Sequence, residues 1–149
     1  LNADTPIAVD LVLAEPSEML GAGWAIAEEG TLGEFYLGEY LAVQLETEVA
    51  QAAAAGWGGD AYTIYQQGDQ NDALAFALHL EWDTVADRDE FAAAHQSYAE
   101  SRFEAAMQDS CYSNATGALC YADVEQSGSI VTHAPTLEQA QALLNEALS

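Results

Sequence analysis

His79, Glu81 and Asp83 alternate along one stretch of chain in a pattern that could do chemistry. Side chains on a strand project to one side with a period of two, so an imidazole and two carboxylates would share a face. With Asp87 or Asp89 close behind, such a set could ligate calcium or another divalent cation. The competing reading is a solvated sheet face running into a helix N-cap, and the run Asp83–Asp89 lacks the glycine and closing glutamate of an EF-hand loop. A second candidate is the turn Trp57-Gly58-Gly59-Asp60, directly after Gly56. Glycine-rich turns expose backbone N–H groups that can hold an anion. Here the turn follows a helix, whose C-terminal dipole is negative, which favours a corner between helix and strand over an anion site.

Cys111 and Cys120 are the two cysteines of the chain, and they suit a local disulfide closing a ten-residue loop. Loop entropy would give such a bridge roughly 2.5–3 kcal/mol. A bridge implies an oxidising, extracytoplasmic compartment: secreted, periplasmic or anchored at the cell surface. The sequon Asn114-Ala115-Thr116 lies in the same loop and marks it as exposed and polar. His95 and His133 have no partner set by sequence. There is no HExxH, GxSxG or CxxC motif, so no catalytic residue is assigned. Trp24, Trp57 and Trp82 could line a cleft, although tryptophans in a chain of this size are more often packing residues.

Charge restricts the partners. Twenty-five acids face two bases among 149 residues, a formal net charge of −23. That field repels nucleic acid and anionic membranes and attracts cations. Because the acids are scattered, adaptation to a salty medium explains them better than a dedicated cation surface does. Half the residues are apolar, enough for a core, and no run is long and apolar enough to span a membrane.

The expected organisation is a single domain over 1–149, with an extended lead-in over 1–30 and a core over 31–149. Ile7–Leu13 is strand-like, and Trp24 and Ile26 anchor a short strand or turn. A long amphipathic helix is expected from Thr31 to Gly56. Thr31 and Glu34 would form its capping box, Leu37, Leu41, Leu45 and Val49 its apolar stripe, and Gly56 its C′ cap. Gly38 within it marks a close approach to something. A strand through Tyr62–Tyr65, a turn over GDQND (68–72) and a strand over 73–82 make a hairpin. In the return strand Leu74, Phe76, Leu78 and Leu80 share one face, and Ala75, Ala77, His79 and Glu81 the other.

Asp83 or Thr84 caps the next helix, with Val85, Phe91, Tyr98 and Phe103 inward. A second hairpin turns at Ser127-Gly128. A last helix opens with a Thr136/Gln139 capping box and carries Leu137, Ala140, Leu144 and Leu148. The order α-ββα-ββα predicts an α+β fold: an antiparallel sheet of four or more strands with helices packed on one face.

The strings TLGEFYLGEYL, AAAAGWGGDAYTIY and ALAFALHLEWDTVADRDEF, within Gly23–Tyr98, resemble the C-terminal region of secreted or lipid-anchored bacterial and archaeal proteins. Some of these carry a zinc-metallopeptidase segment with HExxH upstream. The resemblance implies a non-catalytic companion domain or a free-standing relative, since no HExxH lies in this chain and no catalytic residue carries over. The leading expectation is therefore a non-enzymatic extracytoplasmic accessory or binding domain. Its partner would be an upstream catalytic domain or another surface protein, as for an adhesin or surface-layer module. The alternative is a divalent-cation-binding module, or a cation-dependent hydrolase using acids around Asp83–Asp89.

Overall fold

The computed structural model of the chain describes residues 7–68 and 73–149. Its elements in chain order are α1 (Pro16–Met19), β1 (Trp24–Gly30), α2 (Gly33–Ala42), α3 (Thr47–Ala54), β2 (Trp57–Gln67) and β3 (Ala73–Trp82), followed by α4 (Val85–Phe103), β4 (Cys111–Asn114), β5 (Gly117–Val124), β6 (Gly128–Ala134) and α5 (Leu137–Leu148). The strands form one six-stranded antiparallel sheet in the order β1-β2-β3-β6-β5-β4. This is an α+β fold in which the two hairpins β2–β3 and β5–β6 meet at the β3–β6 pair. The expected order after residue 31 is present, with β1 added ahead of it and β4 inside the disulfide loop. Residues 69–72 of the expected GDQND turn lie outside the described residues.

Alternation sorts the side chains into two layers. On one face Leu78, Leu80, Trp82, Leu119 and Val131 pack against Leu37 and Leu41 of α2, Ala50 and Ala53 of α3, and Phe91, Tyr98 and Phe103 of α4. On the other, Tyr65, Ala75, Ala118, Cys120, Ile130 and Ala134 pack against Leu20 beside α1 and Ala140, Leu143 and Leu144 of α5. Helices therefore cover both faces, not one. The second face reads as small-or-polar in sequence because small residues let α5 lie close to the strands. Thr132 Oγ1 donates to the α5 carbonyl of Ala140 at 2.9 Å, fully buried.

The expected long helix is two helices folded back on each other. A straight helix over 31–56 would be about 39 Å long, too long to lie over one twisted sheet. The chain instead turns at Val43–Glu46, where Glu46 is extended at φ −62°, ψ 146°. The alanine face of α3 then packs on α2: a Cβ on Gly38 would stand 3.9 Å from the Ala54 Cβ, so the close approach expected at Gly38 is to the chain's own next helix. The fold-back leaves Val49 about half exposed and Leu45 partly buried. Thr31 and Glu34 do not form the capping box: the α2 N-cap is Leu32, with no side-chain cap of its own.

Ile7–Leu13 is not a strand. The segment reaches the sheet at Ile7, whose N–H donates to the Gly58 carbonyl, and Val12 beyond it is 88% exposed. Thr84 caps α4 by accepting from the Asp87 N–H at 3.1 Å, and Thr136 caps α5 by accepting from the Gln139 N–H at 3.2 Å. Val85, Leu137 and Leu148, expected inward, are partly exposed, and His95, Ala99 and Leu143 are buried instead.

Candidate functional site

Asp60 is the structural centre of the glycine turn. It is 5% exposed, and its two oxygens receive three N–H donors: Leu32 N at 2.7 Å, Gly33 N at 2.9 Å and the Trp57 indole at 2.9 Å. A strand carboxylate thus caps α2 from a distance, satisfying free N–H groups at the positive end of the helix. Gly58 and Gly59 are glycines because residue 7 crosses them: the Ile7 N–H donates to the Gly58 carbonyl at 2.6 Å, and a Cβ on Gly59 would collide with the Ile7 carbonyl. Trp57, Gly58, Gly59 and Asp60 do lie side by side, but their polar groups are engaged within the fold.

By holding Leu32, Asp60 also builds one wall of an apolar pocket. Leu32 and Tyr40 from the α2 segment face Tyr62 and Ile64 of β2 and Phe76 and Leu78 of β3, around a space of about 200 Å³ that opens to solvent. It exists because α2 is short. The long β2–β3 hairpin runs on past the helix, leaving Leu74 49% exposed and Ile64 and Phe76 half-buried. The rim is acidic: the Tyr62 hydroxyl donates to the Glu28 carboxylate, which pushes the phenol's pKa up.

A buried polar-aromatic network braces the pocket walls. The Tyr40 hydroxyl lies 3.3 Å from Nε2 of His95, whose ring sits among Phe91, Tyr98 and Tyr121 at centroid distances of 5.5, 5.8 and 5.4 Å. Burial, then the nearby Arg102 charge, lowers the His95 pKa to about 3, and burial raises Tyr40 well above its ordinary value. Both groups stay neutral, so the hydroxyl can donate to an unprotonated ring nitrogen. Phe76 stacks on His133 at 5.6 Å, and Arg102 donates to His133 Nε2 at 3.4 Å and to the Tyr98 hydroxyl at 3.2 Å. Burial, with Arg102 adding to it, lowers His133 to about 4. The two histidines without a sequence partner are struts behind Tyr40 and Phe76.

The four proposed metal ligands divide into two places. His79 Nε2 lies 2.9 Å from Glu81 Oε2, and Nδ1 lies 3.3 Å from the Asp10 carbonyl. The pair faces an open cleft of about 580 Å³ between residues 7–10, the β5–β6 turn and the end of α5. Asp83 instead donates its N–H to the Gly56 carbonyl, and Asp87 bonds Thr84 at the start of α4. Among the described residues, no three His, Cys, Asp or Glu side chains converge as a metal site.

Cys111 and Cys120 are bonded, as directly opposed residues of β4 and β5 with Cα atoms 4.0 Å apart. Both are buried. A buried disulfide points to an oxidising, extracytoplasmic environment. No helix among the described residues is long and apolar enough to cross a membrane. Arg88 donates to the Val124 and Gln126 carbonyls, tying α4 to the β5–β6 turn.

The fold and the pocket thus define a disulfide-stapled, acidic α+β domain with an apolar recess between α2 and the β2–β3 hairpin. Over residues 19–144 the chain matches the family described as Domain of unknown function (DUF8575), and it belongs to that family. No curated protein and no solved structure matches it.

Sequence gave no sign of Leu32 and Tyr40 as site residues, and Tyr62, Ile64, Phe76 and Leu78 read as ordinary strand residues. The apolar alternation of β2 and β3 was visible. What hid the pocket was the break at Val43–Glu46, which shortens the helical cover.

Proposed function

We propose that this chain is a non-catalytic extracytoplasmic binding domain that captures one large apolar side chain of a partner protein, flanked by basic residues. The observation that carries the reading is the pocket of Leu32, Tyr40, Tyr62, Ile64, Phe76 and Leu78. At about 200 Å³ it exceeds the roughly 150 Å³ apolar cavity known to accept benzene, which suits a phenylalanine- or leucine-sized group. Glu28 beside Tyr62 and the net charge of −23 favour lysine or arginine around that anchor. Aromatic anchors in small pockets dominate the energy of many interfaces.

The resemblance to regions that follow a zinc-peptidase segment extends the proposal. In such a context the domain would hold a substrate or surface partner near the catalytic segment, with secretion or surface anchoring as its setting. Chelator-sensitive peptide hydrolysis by the isolated chain would refute that role. Pocket competence is tested by methyl NMR with toluene as the probe. Saturable shifts of the Leu32, Ile64 and Leu78 methyls, lost in Ile64→Trp, support the reading. Shifts spread over the surface, or none, would contradict it.

A second reading rests on the His79–Glu81 pair in the larger cleft, which could accept a divalent cation with help from the Asp10 carbonyl. A saturable rise in melting temperature with calcium, beyond that given by equal ionic strength of sodium chloride, would favour it.

A further inference from the structure

We propose that Asn114 is an N-glycosylation site. In sequence, Asn114-Ala115-Thr116 marks only a polar loop. The structure adds position, exposure and local geometry. Asn114 is the last residue of β4, Ala115 and Thr116 turn the chain into β5, and all three are exposed at the hairpin tip. The Cys111–Cys120 bridge, at the far end of the same short ladder, holds the tip.

Asn114 Oδ1 accepts both the Thr116 backbone N–H at 2.8 Å and the Thr116 hydroxyl at 2.6 Å. An amide nitrogen is a poor nucleophile because its lone pair is delocalised into the carbonyl. Two donors on Oδ1 polarise the amide and make an Nδ2 proton easier to remove. The second donor depends on a hydroxyl residue two positions on from Asn114, the position that the sequon specifies. Among the described residues Nδ2 donates one long bond, 3.4 Å to the Phe103 carbonyl, and its other proton is unengaged.

The co-reactant is a lipid-phosphate-linked oligosaccharide presented by an extracytoplasmic transferase. The bond between Nδ2 and the sugar C1 forms as the C1–O bond to the phosphate breaks. The lipid phosphate leaves with the electron pair, and the Nδ2 proton passes to a base of the transferase. No oxidation or reduction is involved. The remaining Nδ2 proton can keep its bond to Phe103. A sugar there would stand beside β4, an edge strand of the sheet, and would shield that edge from pairing with other chains.

The inference rests on the extracytoplasmic reading, and its test separates the two. The protein is recovered from its native source with its location and thiol state recorded, and the peptide containing Asn114 is weighed and fragmented. The expected result is a sugar mass on Asn114 in chains with the disulfide formed. That mass is lost completely in Asn114→Gln and Thr116→Ala, and kept in Thr116→Ser. An unmodified Asn114 peptide from disulfide-bonded protein outside the cell would overturn glycosylation and leave the location standing. Unmodified protein inside the cell with both thiols free would overturn both.

Discussion

Replacing Asp60 with asparagine keeps the side chain's shape and changes one oxygen to an NH2 group. Oδ1 of Asp60 holds Leu32 N, and Oδ2 holds Gly33 N and the Trp57 indole. An asparagine with its carbonyl in the Oδ2 position keeps two of these three bonds and turns its NH2 toward the Leu32 N–H. The flipped orientation keeps one and opposes two. In the better case the loss is one charge-assisted bond, about 1.5–3 kcal/mol, plus the carboxylate's attraction to the helix N-terminus, about 0.3–2 kcal/mol. We therefore expect Asp60→Asn to cost about 2–5 kcal/mol, with little solvent discount because Asp60 is buried. At about 2–4 °C per kcal/mol for a chain of this size, the melting temperature falls by roughly 10 °C. The assay is urea unfolding at fixed molar sodium chloride, which screens the acidic surface. The midpoint should fall with the slope unchanged, and Asp60→Ala should fall further. Because Leu32 is both clamped by Asp60 and part of the pocket, its methyl signals should move in the same variants. A change within about 0.5 kcal/mol, the range of an ordinary surface substitution, would refute the claim that Asp60 caps α2.

Three further outcomes follow from the same structure. The buried His95 has a folded pKa of about 3 against an ordinary 6.5, so its contribution is fully present above pH 6.5 and is lost as pH falls toward 3. Between pH 6.5 and 5 this amounts to about 1.6 kcal/mol; His95→Gln should flatten the slope of unfolding free energy over that range, and an unchanged slope would contradict the assignment. Reducing the Cys111–Cys120 bridge should lower stability by about 2.6 kcal/mol on loop entropy. Alkylating the unfolded, unreduced protein should label no thiol, and two labelled cysteines would contradict the bridge. With a net charge of −23, the melting temperature should rise with sodium or potassium chloride and level off near molar salt, where the Debye length is about 3 Å. A flat response would mean that self-repulsion does not limit stability.

The parts of the fold legible in sequence were those set by local chemistry. Period-two alternation in β2 and β3, hydroxyl caps at Thr84 and Thr136, and the short spacing of Cys111 and Cys120 each act within a few residues. What could not be read depended on distant partners. The α2 cap is Asp60, 28 residues on from Leu32, so the nearby Thr31/Glu34 pair looked like the cap and is not. Ala75 looked like part of a thin outer face until α5, more than 60 residues later, packed over it. Ile7–Leu13 has strand composition, but no ladder forms along it, and its bond to β2 is the single one from Ile7 to Gly58. At the candidate site, His79 and Glu81 were rightly seen as neighbours in a strand. Asp83 and Asp87 turn away because the strand ends at Trp82 and the helix cap redirects the chain. Tyr40 and Phe76 gave no signal as site residues, since being lined up around a recess is a property of the helix break and not of either residue.

The claim that the recess binds a basic-flanked apolar side chain is tested most directly by NMR titration with two capped tripeptides, Lys-Phe-Lys and Lys-Ala-Lys, at matched ionic strength. We expect saturable shifts from Lys-Phe-Lys centred on Leu32, Tyr40, Tyr62, Ile64, Phe76 and Leu78, and none of these from Lys-Ala-Lys. Equal shifts from both peptides scattered over the acidic surface, or no shift at the six residues, would contradict it.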